Sequence, residues 1–220
     1  TDRNEGVALE SDRLDEPCTI YGGYGQTKYV CEKLLLNVPS ELCNINIIRY
    51  GLLCGDTQKG ISAPKDFLGM FVRGAMVVNK LPKDPTGKLG IDISPVDIAS
   101  KITVDISAKS DCGIYHVASE NPLLYSELCR IIEKCANVKA EEDFETWKGI
   151  LTEYLDNANV TALGMSLCRL DKEAYNSLRY MDLFQTTNIR FDMTNTHRLT
   201  EHRIYQNETL IELYIKNEKI

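Results

Sequence analysis

Apolar and polar positions recur along this chain in blocks of different period, and the blocks predict its elements. Residues 1–20 are polar and charged without any period, which predicts a loop. A glycine-rich turn at Gly22-Gly23 opens a helix in which Val30, Cys31, Leu34 and Leu35 fall at helical spacing, and Pro39 lies just past its end. CNINIIRYGLLCG is a β-branched run closed by glycine, the pattern of a buried strand. DTQKGISAPKD reads as a loop, FLGMFVRGAMVV as a helix despite its glycines, and NKLPKDPTGKLGID as a turn-rich loop. SPVDIASKITVDISA has the signature of a helix capped by Ser94, with Pro95 in its first turn and Asp97 near its positive end. GIYHVAS is a short strand, and NPLLYSELCRIIEKCANV an amphipathic helix opened by Pro122. Beyond Ala140, DFETWKGILTEYLDN and ALGMSLCRLDKEAYNSLRYMDLF read as helices, FDMTNT as a turn and ETLIELYIKNEKI as a closing helix.

This order predicts an α/β protein. Residues 1–120 suit the later half of a parallel sheet with its helices, and 121–220 a smaller, mostly helical subdomain, with some segments free to return to the sheet. Composition changes the picture little: 43% hydrophobic and 26% charged residues in 220 are those of an ordinary soluble protein. The net charge of −7 argues against a nucleic-acid partner. No apolar run approaches the roughly 20 residues of a membrane span, and no signal segment opens the chain, so a cytoplasmic setting is expected. None of the 8 cysteines is spaced as CxxC, and His116, His197 and His202 are scattered. Cys31, Cys54, Cys129, Cys135 and Cys168 lie in apolar stretches, which predicts buried reduced thiols and no metal site.

The candidate chemistry is Tyr24-Gly-Gln-Thr-Lys28. Residues i and i+4 share a helix face, so the Lys28 ammonium can approach the Tyr24 hydroxyl. A free phenol titrates near a pKa of about 10, and a neighbouring cation favours the phenolate. A tuned tyrosine donates a proton to a carbonyl oxygen as hydride reaches the carbon, and the lysine can also hold ribose hydroxyls. The spacing alone is weak evidence, because a solvated helix face gives it too and Tyr29/Lys33 repeats it. At about 100° per residue the two pairs are turned about 140° from each other and cannot serve one site. The glycines before Tyr24 favour the first pair. For Arg49 and Asp97 the plainer reading is ion pairs or caps that hold loops, for His116 a satisfied histidine at a strand end, and for Trp147 a core residue.

The segment GGYGQTKYVCEKLL resembles the active-site helix of the thioester reductase family, extended short-chain dehydrogenase/reductases that terminate many nonribosomal peptide and polyketide synthases. INIIRYGLLCGD, KDFLGMFVRG, ISPVDIASKI, GIYHVASENPLLYSEL and FDMTNTHRL resemble further family segments in the same order, so the likeness runs over about residues 20–220. It implies the C-terminal part of a Rossmann-like extended fold. Residues 1–120 would then belong to the dinucleotide-binding domain and 121–220 to a mostly helical substrate-binding subdomain. Tyr24 would be the catalytic tyrosine and Lys28 its partner on the nicotinamide ribose. Tyr50, Gly51 and Leu52 would lie against the nicotinamide, mostly through backbone. The family usually has proline where this chain has Tyr50; sugar-nucleotide epimerases, which share the Tyr/Lys pair, carry Arg-Tyr there.

The implied activity is NADPH-dependent release of an acyl or peptidyl thioester, presented on the phosphopantetheine arm of a carrier protein, as an aldehyde or onward as an alcohol. Lys80, Lys83 and Lys88 form a loop that could touch an acidic carrier, although a solvated loop is the plainer reading. The chain contains no GxxGxxG turn for a pyrophosphate. The expectation is therefore a fragment whose N-terminal half, with the cofactor loop, lies elsewhere in a longer protein, and which is inactive alone. Its strand at 45–54 would be an exposed edge, open to self-association or to pairing with that half. Two other readings remain: a sugar-nucleotide epimerase or dehydratase, and a non-catalytic module that binds acyl chains or a carrier.

Overall fold

A computed structural model describes residues 5–13, 22–84, 87–109, 112–138, 141–158, 160 and 188–218. The expected helix over 162–184, with Cys168, lies outside these residues, as does Cys18. In chain order the elements are β1 (Glu5–Ala8), α1 (Gly22–Leu36), β2 (Asn46–Tyr50), β3 (Leu52–Cys54), α2 (Phe67–Val78), β4 (Leu81–Pro82), β5 (Gly90–Ile91), β6 (Ile93–Pro95), α3 (Val96–Lys109), β7 (Gly113–Val117), β8 (Leu123–Leu124), α4 (Tyr125–Ala136), β9 (Glu141–Glu142), α5 (Phe144–Glu153), β10 (Asn188–Phe191), α6 (Thr194–Leu199) and α7 (Glu208–Asn217).

The strands join in pairs, nearly all of them parallel: β1 with β10, β2 with β7, β3 with β6 and β4 with β9, while β5 meets β8 antiparallel. Parallel pairing with helices between the partners is the mark of an α/β fold. The structure adds strands where loops were expected. Glu5–Ala8 pairs with Asn188–Phe191, and the loop after α2 supplies β4 and β5. Ser94 does not cap α3. Ser94 and Pro95 belong to β6, paired with Leu53 and Cys54, and the helix starts at Val96.

Local chemistry fixes the helix ends. Asp66 caps α2 by accepting from the Gly69 amide at 2.9 Å, Asp143 caps α5 through Thr146 at 3.0 Å, and Asn207 caps α7 through Leu210 at 2.7 Å. Asn79 and Asn137 close α2 and α4 in the left-handed conformation, both at φ 54°.

Two apolar clusters lie beneath this frame. The larger joins α2, α4, α5 and α7 to β3–β6, with Phe71, Tyr125, Trp147 and Tyr214 at its centre. Phe71 meets Trp147 and Tyr125 at ring-centre distances of 5.7 and 6.3 Å. The polar ends find backbone acceptors: the Tyr125 hydroxyl donates to Pro82 O at 2.6 Å and the Trp147 indole to Lys80 O at 3.1 Å. Trp147 is therefore core. The smaller cluster packs Ala99, Ile102 and Ile106, one stripe of α3, against Tyr115 and Val117 of β7 and Ile204. Sequence-distant segments thus share each cluster, and β10 and α6 return to β1 and β7 from the far end of the chain.

Candidate active site

Helix α1 carries Tyr24 and Lys28 one turn apart, with the Lys28 ammonium 5.5 Å from the centre of the Tyr24 ring. Tyr29 and Lys33 repeat that contact at 5.5 Å, so the distance does not choose between the pairs. Exposure separates them. Tyr24 is 80% exposed and Lys28 is exposed with it, whereas Tyr29 and Lys33 are half-buried. At about 100° per residue, Thr27, Cys31, Leu34 and Leu35 fall within about 80° of Tyr24, and all are exposed. One face of α1 thus presents the first pair openly. Cys31 sits on that face, against the expectation of a buried thiol; Cys43 and Cys112 are exposed too.

Tyr50, Gly51 and Leu52 form the junction between β2 and β3. The Gly51 amide still donates to Val117 O of β7 at 2.9 Å, and the next amide, Leu52, donates to Asp92 O at 3.1 Å. Pairing therefore changes from β7 to β6 within one residue. The Tyr50 ring is tied to α3. Thr103 commits its hydroxyl proton to Ala99 O at 2.7 Å, so the Tyr50 hydroxyl donates to Thr103 Oγ1 at 2.6 Å.

Asp92 backs this junction, and nothing in the sequence singled it out. Its Oδ1 accepts from the Ser119 amide at 2.9 Å and the Ser94 hydroxyl at 3.2 Å. Its Oδ2 is buried and lacks a hydrogen-bond partner among the described residues. Burial pushes the carboxyl up to about 6, against the pull of the Ser119 and Ser94 donors. A Cβ on Gly51 would run into the Asp92 carboxyl group, so a larger residue there would have to displace it.

Arg49, one residue before the junction, faces Glu32 of α1 with its guanidinium fork. Nε donates to Glu32 Oε2 at 3.1 Å and Nη2 to Glu32 Oε1 at 2.5 Å, while Nη2 also reaches Asp12 O at 2.9 Å. Nη1 lies 3.3 Å from His116 Nε2, and His116 Nδ1 lies 2.9 Å from Asp192 O. A carbonyl only accepts and a guanidinium only donates, so His116 is neutral with its proton on Nδ1. Burial holds its pKa below the usual histidine value, with the Arg49 charge acting the same way and the Asp192 carbonyl opposing them. His116 is the satisfied strand-end histidine expected, and Arg49 the structural ion pair. Asp97 likewise holds a loop, accepting from the Thr57 amide at 3.0 Å and the Thr57 hydroxyl at 2.6 Å.

Glu10, in a stretch read as featureless loop, is buried and accepts from His116 N, Thr196 N, Thr196 Oγ1 and Asn195 N at 2.6–3.1 Å. No sequence signal marks it, since its partners lie about half a chain or more away. Among the described residues no group of His, Cys, Asp or Glu is arranged to hold a metal, and no helix is long and apolar enough to cross a membrane. Of the lysine loop, Lys80 is paired with Glu142 at 2.7 Å, while Lys83 and Lys88 are exposed.

These residues suit a nicotinamide cofactor. An open phenol and an ammonium side by side can meet the hydroxyls of a ribose. An NAD-binding family described as "Male sterility protein" matches residues 2–103. The L-2-aminoadipate reductase large subunit of Candida glabrata is 26% identical over 194 residues, 80% of this chain and 14% of that protein. The terminal R domain from the myxalamid PKS-NRPS biosynthetic pathway superposes with a TM-score of 0.78 at 20% identity, covering 96% of this chain and 53% of that one. A thiolation-reductase di-domain from an archaeal non-ribosomal peptide synthetase superposes with a TM-score of 0.67 at 15% identity, covering 97% of this chain and 43% of that one. The chain thus spans about half of these solved structures and a small part of the curated relative. Its fold is the α/β, Rossmann-like fold of these domains, and residues 2–103 carry the sequence pattern of the NAD-binding family that matches them.

Proposed function

We propose that this chain forms the proton-handling side of an NADPH-dependent reductase that releases a carrier-bound acyl or peptidyl thioester as an aldehyde. The observation that carries the reading is the open Tyr24–Lys28 face, in a chain whose fold follows a reductase domain over 96% of its length. NADPH supplies the hydride that reaches the thioester carbonyl carbon. Tyr24 donates its hydroxyl hydrogen bond to the carbonyl oxygen and stabilises the negative charge that develops there. Lys28 holds the ribose and keeps a positive charge beside the phenol. The backbone of Tyr50, Gly51 and Leu52 lines the nicotinamide. Collapse of the tetrahedral oxyanion re-forms the C=O bond, breaks the C–S bond and leaves the aldehyde, the carrier sulfur departing as a thiolate that takes a proton from water.

The partner in this reading is an acyl or peptidyl carrier protein bearing phosphopantetheine, supported by the reductase domain joined to a thiolation domain among the solved structures. Lys83 and Lys88, the exposed lysines of that loop, are the residues proposed to meet it. The larger helical cluster would shape the acyl cleft, with the substrate subdomain proposed over 121–220. Free thiols at Cys31, Cys43, Cys54 and Cys112 suit a reducing, cytoplasmic setting. The test is made in the longest protein that carries this chain, given NADPH and an acyl-thioester carrier. Tyr24→Phe should lower kcat by about 100-fold or more, with Tyr29→Phe close to wild type. Equal activity in the two variants would sink the proposal.

A further inference from the structure

We infer that Arg49 is the positioning residue of this site: by gripping Glu32 it fixes the rotation of α1, and with it the direction in which Tyr24 and Lys28 point. The inference rests on the reductase reading above and adds a residue to it. Tyr24, Lys28 and Glu32 follow one another at intervals of four. On a helix they form a single stripe that drifts only about 40° per step. A hold on Glu32 therefore sets the azimuth of the other two. The hold is specific. Both guanidinium edges are used, with Nε and Nη2 on the two Glu32 oxygens, Nη2 also on Asp12 O and Nη1 facing His116 Nε2. His116 is in turn fixed by its Nδ1 donation to Asp192 O, and its own amide is held by Glu10. The guanidinium plane is thus locked from β7 and the Asp12 loop before it meets α1.

Among the described residues the apolar packing of α1 is thin. Val30, Leu34, Leu35 and Leu36 are all exposed, so few apolar contacts resist a turn of the helix about its axis. A bidentate, charge-assisted pair at 22% and 14% side-chain exposure is then the strongest described hold on the helix. Lysine keeps the charge but cannot make the fork. Arg49 also neighbours Tyr50, so the same residue ties the Tyr/Lys stripe to the β2–β3 junction.

The experiment uses Arg49→Lys and Glu32→Gln in the longest protein carrying the chain, with Tyr24→Phe as control. Two readouts are taken: amide hydrogen exchange, segment by segment, and steady-state reduction of an acyl-thioester carrier. Exchange over residues 24–36 should quicken by about ten-fold or more while α3 and β7 stay protected. kcat should fall by about ten-fold or more with the thioester KM within about three-fold, as expected when a reacting group is turned by an ångström or so. The charge-exchanged pair Glu32→Arg with Arg49→Glu should recover part of kcat. Wild-type kcat in Arg49→Lys would overturn the inference, whether or not the helix loosens. So would faster exchange spread evenly over α1, α3 and β7, which would mark a general structural role. If Tyr24→Phe itself turns over like wild type, the reductase reading fails and the positioning role falls with it. A dead Tyr24→Phe beside a fully active Arg49→Lys removes the positioning role alone.

Discussion

At the scale of single residues, the junction at Gly51 shows how close packing and burial act on one carboxyl group. A buried acceptor without a partner costs stability, and Asp92 Oδ2 has none among the described residues, where it is pressed against Gly51. The cost depends on pH, with a sign that follows from burial. In the unfolded chain the carboxyl titrates near its ordinary 3.8; in the folded chain it is pushed up to about 6. Between those values the folded state holds more protons, so stability is fully present below the lower value and falls as pH rises through the upper one. At about 1.4 kcal/mol per pKa unit the loss by neutral pH is of the order of 3 kcal/mol. Asp92→Asn has no charge to bury. Urea denaturation should therefore show the stability of Asp92→Asn relative to wild type rising from pH 4 to pH 7 and then levelling. A difference that is flat across that range would mean that the carboxyl is not strained by burial. The approach of Lys28 to Tyr24 was legible in sequence because its spacing is local. Asp92, Glu32 and Glu10 were not, because each takes its meaning from a partner brought in by the fold.

At the scale of elements, local signals predicted local structure well. FLGMFVRGAMVV is α2 from end to end, because Asp66 caps it and Asn79 ends it directly on either side. Short strands were missed for the opposite reason. β4 and β9 hold two residues each and exist only through their pairing, Leu81 with Glu141 and Pro82 with Glu142. Ser94-Pro95 carried a convincing helix-start pattern, but ladder bonds to β3 drew both into a strand. The closing helix α7 was expected; what it clamps was not. Tyr214 donates to the Asp66 cap of α2, Arg73 of α2 pairs with Glu218, and Asn217 reaches Lys59 O. Glu218 is buried at 6% exposure, so its partner matters more than a surface charge would. Arg73→Met leaves that carboxylate buried and unpaired, which should cost about 3 kcal/mol in urea denaturation. Arg73→Met with Glu218→Leu should recover most of it, since an apolar pair needs no counter-charge. A loss of the same size in both variants would show that packing of the arginine stem, not the ion pair, holds α7 to α2.

At the scale of the whole molecule, the fold class was legible and the closure of the fold was not. Alternating strand and helix patterns announce a parallel sheet, but nothing local reveals that Glu5 pairs with Asn188 or that the return of α6 is pinned by Glu10. The same view exposes what the described residues leave uncovered. β2 pairs with β7 alone, and α1 offers Val30, Leu34 and Leu35 to solvent beside the open Tyr24 ring. Exposed leucines on a helix, and a strand with one described partner, are the kinds of surface that another chain covers. The 220-residue chain by itself should therefore associate as its concentration rises, visible as a growing sedimentation coefficient. Leu34→Glu tests the route. Leu34 is 66% exposed, so the substitution should leave the melting curve nearly unchanged. It should nevertheless shift association to concentrations higher by about ten-fold or more, because a buried carboxylate opposes any partner on that face. A wild-type chain that stays monomeric across the whole range would mean that the face tolerates water. Association unaltered by Leu34→Glu would move the contact to the edge of β2, where backbone pairing is indifferent to a charge on α1.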